Sequence, residues 1–350
     1  MHAAEVEPAE PFDVSDLPDI FDRFADHRAL LLAVSGGPDS MGMMAALARW
    51  RTARADGPAL HVATVDHGLR PEAQAECAMV AAAAARLGLP AEILVWSGPK
   101  PEAGLQREAR EARYRLLAAE ARRVGAEAIV TGHTISDQAE TVLMRFLRGS
   151  GPLGLKAMAE SAERDGIAIV RPFLWTTGAR LAATARAAGL EPIQDPSNVD
   201  DRFTRARLRK LIAAMAGEGL DIERLATFAG RMRLIDEALR HQADRLAEAS
   251  RRPTVVPGTE VYEAKAWLAE PLACVQMLLS MAIERVGGGA GAERLAALEE
   301  LSVEVLMALA EGEAARTTLR GAMVAVTPEG RVILSREPPR RPPADRRMAQ

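Results

Sequence analysis

Between Ala29 and Val170 the chain alternates short apolar runs with longer stretches whose apolar positions recur at helical spacing. The runs Ala29–Val34, Leu60–Val65, Ala91–Trp96, Ala128–Thr131 and Ile167–Val170 are too short for helices and mostly apolar throughout, so they predict buried strands. The Ala-rich stretches between them predict helices over Ser40–Arg54, Pro71–Leu87, Leu105–Val124 and Ser136–Leu147. This rhythm implies right-handed crossovers and an α/β class, a doubly wound, mainly parallel sheet with helices on both faces. Ligands of such sheets bind at the carboxyl ends of the strands, so the loops that follow strands carry the chemistry.

Beyond Val170 the pattern turns mostly helical, over Gly178–Ala188, Asp201–Met215, Ile222–Ala249, Lys265–Val286 and Ala292–Glu311. Three strand-like runs close it: Thr317–Leu319, Met323–Val326 and Arg331–Leu334. Gly217-Glu218-Gly219 is the expected hinge. The organisation predicted is an N-terminal extension (1–27), an α/β catalytic domain (28–217), a smaller, mostly helical α+β domain (220–336) and a tail (337–350) whose Pro and Arg content is that of disorder. The apolar faces of Leu272–Ala282 and Leu295–Leu309 suit either a core or a homodimer surface.

Composition narrows the class. Of 350 residues 48% are hydrophobic, enough for sizeable cores. No apolar run approaches the ~18–20 residues of a membrane span, and the acidic Met1–Asp19 is unlike a secretory leader. Only Cys77 and Cys274 are present, which excludes a disulfide scaffold or cysteine-rich cluster and suits a reducing cytoplasm. The net charge of −4 does not announce a nucleic-acid binder. Of 44 cationic residues four are lysines (Lys100, Lys156, Lys210, Lys265), leaving 40 arginines. Guanidinium forks suit phosphate, although such a bias also follows genome composition.

Ser35-Gly36-Gly37-Pro38-Asp39-Ser40 follows the first strand directly and opens a helix. Glycines admit phosphate to backbone N–H groups, and the helix N-terminus favours negative charge. The Walker and dinucleotide glycine patterns are absent. An ordinary turn capped by Asp39 or Ser40 is the plainer alternative, yet six matched residues between strand and helix favour the phosphate loop. The segment resembles that of the PP-loop ATP pyrophosphatases, which grips the pyrophosphate of ATP while the α-phosphate is attacked.

Three later segments discriminate within that superfamily. Val65-Asp66-His67-Gly68-Leu69-Arg70 ends the second strand; Thr131-Gly132-His133-Thr134-Ile135-Ser136-Asp137-Gln138-Ala139-Glu140-Thr141 ends the fourth, its helix running on to Arg145 and Arg148; and Asp195-Pro196-Ser197-Asn198 precedes Arg205, Arg207 and Arg209. With Arg110 and Arg113 they are similar, in the same order, to the tRNA(Ile)-lysidine synthetases, over about Ala29 to Leu211. That resemblance implies ATP and Mg²⁺, free L-lysine, and an isoleucine tRNA with a CAU anticodon. ATP adenylates C2 of the wobble cytidine, lysine displaces AMP, and AUA codons are then read as isoleucine. It further implies ATP contacts from Ser35–Ser40 and Val65, Asp66 and His67. Asp39, His133, Asp137 and Glu140 become catalytic, with Asp39 and Asp137 on Mg²⁺. Arg70, Arg110, Arg113, Arg145, Arg148, Asp195, Asn198, Arg205, Arg207 and Arg209 face substrate or tRNA.

The residues make chemical sense of that assignment. Asp137 and Glu140, three apart at a helix start, share a face that suits an ammonium or Mg²⁺, and equally suits the positive end of the helix dipole. His67 and His133 stand at strand ends, either as site groups or as hydrogen-bonded structural residues. Arg110 and Arg113 reach phosphate, or are solvated on a helix face. Five cations from Arg202 to Lys210 would repel one another without a polyanion nearby, so they flank tRNA or form a solvated face; the tail's Arg340-Arg341 and Arg346-Arg347 offer weak attraction to RNA or simply solubility. Three departures from the family stand out. Thr134 follows the first histidine where His or Asn is common, and Ser136 replaces the first of two adjacent Asp. Ala206 likewise stands where Asn is common. The alternatives are another PP-loop tRNA enzyme, such as a thiolase, and a non-catalytic adenine-nucleotide-binding protein. Iron–sulfur thiolases need more cysteines than two, and an amidotransferase needs a nucleophile domain for which fewer than about thirty residues before Ala29 leave no room.

Overall fold

Ala29–Ala33 (β1) lies in the middle of a six-stranded sheet with Ala59–Asp66 (β2), Ala91–Val95 (β3), Ala128–Thr131 (β4), Ser161–Arg164 (β5) and Ile167–Val170 (β6), in the order β3-β2-β1-β4-β6-β5. The structure is a computed structural model that describes residues 9–54, 56–101, 103–193, 204–287 and 295–338. It divides into two compact units, Met1–Gly149 with Gly154–Gly230, and Ser150–Leu153 with Arg231–Gln350.

All strand pairs of this sheet are parallel except β5–β6. The buried β1 feeds two cores because its side chains alternate between faces. Leu30, Leu32 and Val34 pack with Met43, Met44, Leu47 and Trp50 of helix α2, whereas Leu31 and Ala33 meet Tyr114, Leu117 and Ala121 of α4. The helices of this unit are α1 (Leu17–Phe21), α2 (Pro38–Thr52), α3 (Ala73–Arg86), α4 (Leu105–Val124), α5 (Ile135–Leu147), α6 (Gly178–Ala187) and α7 (Thr204–Met215), and α8 (Ile222–Ser250) leads on into the second unit. β4 returns to the far side of β1, so the carboxyl ends of β1 and β4 form the switch point at which this architecture opens a crevice.

The N-terminal segment contributes to the core. Phe12, Leu17, Phe21 and Phe24 are buried, with Phe21 5.6 Å from the Trp50 ring and Phe12 5.6 Å from Phe173. Burying each such side chain stabilises the unit by roughly 1.5–3 kcal/mol. β5 did not register as a strand in the hydrophobic pattern because its side chains are exposed; it pairs with β6 through Asp165 and Gly166, both at positive φ (52° and 73°), the backbone of a two-residue hairpin turn. The expected hinge falls on a short 3₁₀ turn, Ala216–Glu218, ended by Gly219, inside the first unit.

The second unit is an antiparallel sheet of Arg251–Arg252 (β7), Glu260–Glu263 (β8), Ala315–Leu319 (β9), Ala322–Val326 (β10) and Arg331–Arg336 (β11), ordered β7-β8-β11-β10-β9. Helices α9 (Leu272–Gly287) and α10 (Leu295–Glu311) cover it, around Tyr262, Trp267, Leu278, Val324 and Val332. The single helix expected over Lys265–Val286 is instead a 3₁₀ turn (Lys265–Ala269) and α9, because Pro271 supplies no N–H and starts a new helix rather than continuing one. Among the described residues no helix is long and apolar enough to cross a membrane.

Candidate active site

The loop after β1 is built to hold an anion. Gly36 has φ +87°, its carbonyl accepts the Ile193 N–H at 2.9 Å, and a Cβ there would stand 2.5 Å from Ile193 Cδ1. Only glycine fits both the backbone and the space. The Ser35 N–H donates to Ser40 Oγ at 3.2 Å, and that hydroxyl donates to the Gly37 carbonyl at 3.0 Å, drawing the loop into a ring. Pro38 opens α2 and Gly37 is its cap, with no capping side chain. Neither Asp39 nor Ser40 caps the helix, and the first-turn N–H groups face the loop unassisted by a side chain.

The loop after β4 lies against it. A Cβ on Gly132 would be 2.9 Å from the Asp39 carbonyl oxygen. His133 Nδ1 is 2.8 Å from Thr131 Oγ1. Thr134 caps α5, and its N–H donates to Asp137 Oδ2 at 3.0 Å, so Asp137 closes the helix start from the third position. Ser136 is therefore not the cap. From α7, Arg205 reaches Asp137 Oδ1 at 3.3 Å and Glu140 Oε2 at 3.8 Å, and Arg209 donates to Glu140 Oε1. Two of the cations that repel one another in sequence are thus set against carboxylates, which revises the argument that the cluster as a whole calls for a polyanion. Arg207 is exposed and contacts Thr204.

Two clefts open here. One, about 320 Å³, is lined by Ser35, Asp39, His133, Asp137, Arg205 and Arg209 among others. The other, about 300 Å³, runs along Val65, His67, Leu69, Arg70 and Cys77. Ser35 and Arg113 line both. Burial, with Asp137 and Glu140 nearby, pushes the Asp39 carboxyl up to about 6. Burial likewise raises Glu140, outweighing its two arginine partners. Burial pushes His133 down to about 4, with Arg113, Arg171 and Arg205 acting in the same direction against Asp137. His67 is lowered by burial and by Arg113, and its Nδ1 is buried without a hydrogen-bond partner among the described residues. Arg113 is itself half-buried and has no hydrogen-bonding or ionic partner among the described residues. Anionic substrate would relieve both Arg113 and the loop N–H groups, and a cation would relieve Asp39.

Among the described residues no three His, Cys, Asp or Glu side chains group as metal ligands. Mg²⁺ bound with ATP needs only one or two carboxylates beside phosphate and water. The Asp39 carboxyl, without a hydrogen-bond donor among the described residues and beside Asp137, fits that demand.

Other expected site residues lie as follows. Asp66 accepts the Gly68 N–H at 2.7 Å, shaping its own turn. Arg70 pairs with Glu76 at 2.9 Å. Arg110 lies over the Tyr114 ring. Arg145 donates to the Gly154 and Ala157 carbonyls at 2.7 and 2.9 Å, bracing that loop, and Arg148 is exposed. Asp195, Asn198, Arg202, the first eight residues and the tail arginines lie outside the described residues. Sequence reasoning placed Thr131 in the motif but gave it no role, and missed Arg171, Ile193 and the Lys100–Trp96 pair, in which the ammonium lies 3.8 Å from the ring centre. Position at a strand's carboxyl end was the available signal for Thr131 and Arg171.

The sheet order, the loop after β1 and its helix define a PP-loop nucleotide-binding domain, and the PP-loop domain family matches residues 13–215. Among solved structures, the U34-tRNA thiolase NcsA from Methanococcus maripaludis shares this fold at a TM-score of 0.53 and 14% identity, over 63% of this chain and 77% of that one. The curated tRNA(Ile)-lysidine synthase of Bradyrhizobium sp. is 44% identical over 97% of this chain and 99% of its own length. That of Methylobacterium nodulans is 46% identical over 96% and 99%. The chain belongs to the tRNA(Ile)-lysidine synthase family.

Proposed function

We propose that this protein is an ATP-dependent carbon–nitrogen ligase that attaches lysine to C2 of the wobble cytidine in an isoleucine tRNA with a CAU anticodon, so that AUA is read as isoleucine. The observation that carries the reading is the approach of the phosphate loop to the Asp137 carboxylate across one cleft, with Glu140 one turn further along the same helix face, which brings α-phosphate chemistry and a site for an ammonium together. The names of the similar proteins support tRNA as the partner.

In the first step the C2 carbonyl oxygen attacks the α-phosphorus of ATP. An O–P bond forms, the bond to the β-phosphate oxygen breaks, and pyrophosphate leaves from Ser35–Ser40. The loop N–H groups and the Ser35 and Ser40 hydroxyls hold the departing charge. Arg113, shared by the two clefts, is positioned for the nucleotide phosphates. Asp39, with Asp137 beside it, would hold Mg²⁺, which when bound would neutralise phosphate charge.

In the second step the lysine ε-amine attacks C2 and the C2–O bond breaks, releasing AMP. A free amine pKa near ~10.4 means the ammonium must first lose a proton. Asp137 and Glu140 hold that ammonium and receive the proton, displacing Arg205 or Arg209 from them. The second cleft, lined by His67 with Asp66 shaping the turn beside it, takes the adenosine, and Arg70, Arg110, Arg148 and Arg207 offer charge to the tRNA backbone. The second unit, which the chain enters at Arg231, is the further domain for tRNA contact.

The test is incubation with ATP, Mg²⁺, labelled lysine and bulk tRNA. Label in RNA with equimolar AMP and pyrophosphate is expected. A folded, ATP-binding protein that leaves the RNA unlabelled overturns the proposal.

A further inference from the structure

The hydroxyl of Thr131 faces two neighbours at once. Its Oγ1 lies 3.3 Å from the Val170 carbonyl oxygen and 2.8 Å from His133 Nδ1. Thr131 is buried, with 1% of its surface exposed, so these contacts are not shared with bulk water.

One hydroxyl carries one proton. A carbonyl can only accept, so the Thr131–Val170 contact is a hydrogen bond only if the threonine donates. The Thr131–His133 contact can be bridged by either group's proton. A single assignment gives both contacts a proton: Thr131 O–H to the Val170 carbonyl, and His133 Nδ1–H to Thr131 Oγ1. The reverse assignment sets two oxygens with their lone pairs facing inside a buried sheet edge, a cost on the order of 1–3 kcal/mol.

We infer that Thr131 is a positioning residue that fixes His133 as the Nδ1–H tautomer, so that Nε2 presents its lone pair to the active-site cleft to accept an N–H from the incoming amine. This rests on the function proposed above for what the amine is, but not for the tautomer. The cleft-facing surroundings suit a neutral imidazole. His133 is buried and flanked by Arg113, Arg171 and Arg205, with Asp137 the counter-charge, and the combined effect disfavours its protonation. A neutral ring has one donor and one acceptor nitrogen, and the group that bonds one nitrogen decides what the other offers. Were Nε2 protonated, it would point a donor at an ammonium and repel it. With Nε2 bare, the histidine adds a neutral acceptor beside the carboxylates Asp137 and Glu140, and orients one amine hydrogen without adding charge.

The sequence carries the ingredients. Thr131 ends β4, two residues before His133, with Gly132 between them, and Val170 ends the neighbouring β6. Parallel pairing of Val130 with Val170 brings the carbonyl beside the threonine. A valine at 131 would fill the same space and keep the strand, but would leave His133 Nδ1 without its acceptor.

The experiment is ¹⁵N-histidine NMR on the full-length protein without ligands, with the His133 resonances identified by their loss in His133→Gln among the six histidines. Long-range proton–nitrogen correlations distinguish the tautomers. The expected result is Nδ1–H for His133 in the parent and in Thr131→Ser, and a shift toward Nε2–H in Thr131→Val. In turnover, Thr131→Val should lower kcat for lysine transfer roughly tenfold or more while KM for ATP stays unchanged, and Thr131→Ser should restore it. An Nε2–H ring in the parent overturns the inference, as does Thr131→Val with an unchanged tautomer. Should Thr131→Val not fold, the parent and Thr131→Ser spectra still decide. Because the spectra need no substrate, a protein that fails to modify tRNA yet shows Nδ1–H separates failure of the proposed function from failure of this inference.

Discussion

The backbones of Gly132 and Asp39 touch: a Cβ on Gly132 would lie 2.9 Å from the Asp39 carbonyl oxygen and 3.1 Å from Ser40 Cα. The loop after β4 is thus packed on the first turn of α2, and the distance between phosphate loop and carboxylates is set by a missing side chain.

Gly132→Ala should therefore act on function more than on folding. The clash is with backbone, which cannot rotate away, so the two loops must separate by several tenths of an ångström. A misplacement of that order costs positional catalysis steeply. We expect pyrophosphate release to fall by about tenfold or more while urea unfolding shifts by only ~1–2 kcal/mol. An unchanged rate shows that the approach of the loops is not needed.

Asp39 makes a prediction in pH. Its carboxyl is pushed up to about 6 by burial and by Asp137 and Glu140. The folded state then binds more protons than the unfolded chain between pH ~4 and ~6, so this group lowers stability as pH rises through that window. Asp39→Asn should be more stable than the parent at pH 7.5, by on the order of 1–3 kcal/mol, with the difference closing near pH 4. His133, pushed down to about 4, works in the opposite direction, but it is common to both proteins and cancels in the comparison. Unfolding curves across pH 4–8 decide it; a pH-independent difference contradicts the origin given. Pyrophosphate release should be lost in the same variant.

The parts of this picture that were legible in sequence are those where one residue type is forced. Continuous apolar runs announced β1 and β4, and the Gly36-Gly37 pair announced a loop that admits phosphate to backbone N–H groups. What stayed hidden depends on partners distant in sequence. The exposed, charged β5 has no hydrophobic signature, although its Asp165-Gly166 turn was a usable cue. Arg205 and Arg209 looked like a repelling cationic run because Asp137 and Glu140, about 70 residues earlier, are their counter-charges. Thr131 looked like a strand end, since its role comes from a carbonyl on β6.

Glu140 and Arg209 should uncouple stability from substrate use. Glu140 is 1% exposed and Arg209 is its close donor, so Arg209→Met leaves a buried carboxylate with only Arg205, at 3.8 Å. Breaking a fully buried pair costs about 3–5 kcal/mol, and the partial exposure of Arg209 reduces that to ~1–3 kcal/mol. The double variant Arg209→Met with Glu140→Gln should recover most of the loss by removing the charge. Glu140→Gln alone should leave ATP binding intact and raise KM for lysine at least about fivefold if Glu140 holds the ammonium.

Ser136 lines the cleft beside Asp137 without capping α5. A carboxylate there would add negative charge next to the proposed cation sites. Ser136→Asp is expected to lower the lysine or Mg²⁺ concentration needed for half-maximal activity. An unchanged requirement for both counts against a shared ligand role at this position.

Arg113 offers the sharpest separation of function from stability. Its guanidinium is half-buried between the two clefts, with no ionic or hydrogen-bonding partner among the described residues, and its proton is disfavoured chiefly by burial. An unpaired cation held out of water destabilises the fold that holds it, so its presence implies a bound anion in the working state. Arg113→Met keeps the aliphatic stem against the cleft wall and removes the charge. The ligand-free variant should unfold at the same urea concentration as the parent or a higher one, while its affinity for ATP falls by roughly tenfold or more, as expected for losing a charged contact to phosphate. Thermal shift with and without ATP measures both at once: the parent gains stability on adding nucleotide, and the variant starts as high or higher and gains little. A variant that is less stable without ligand but gains as much from ATP as the parent would assign Arg113 to the scaffold.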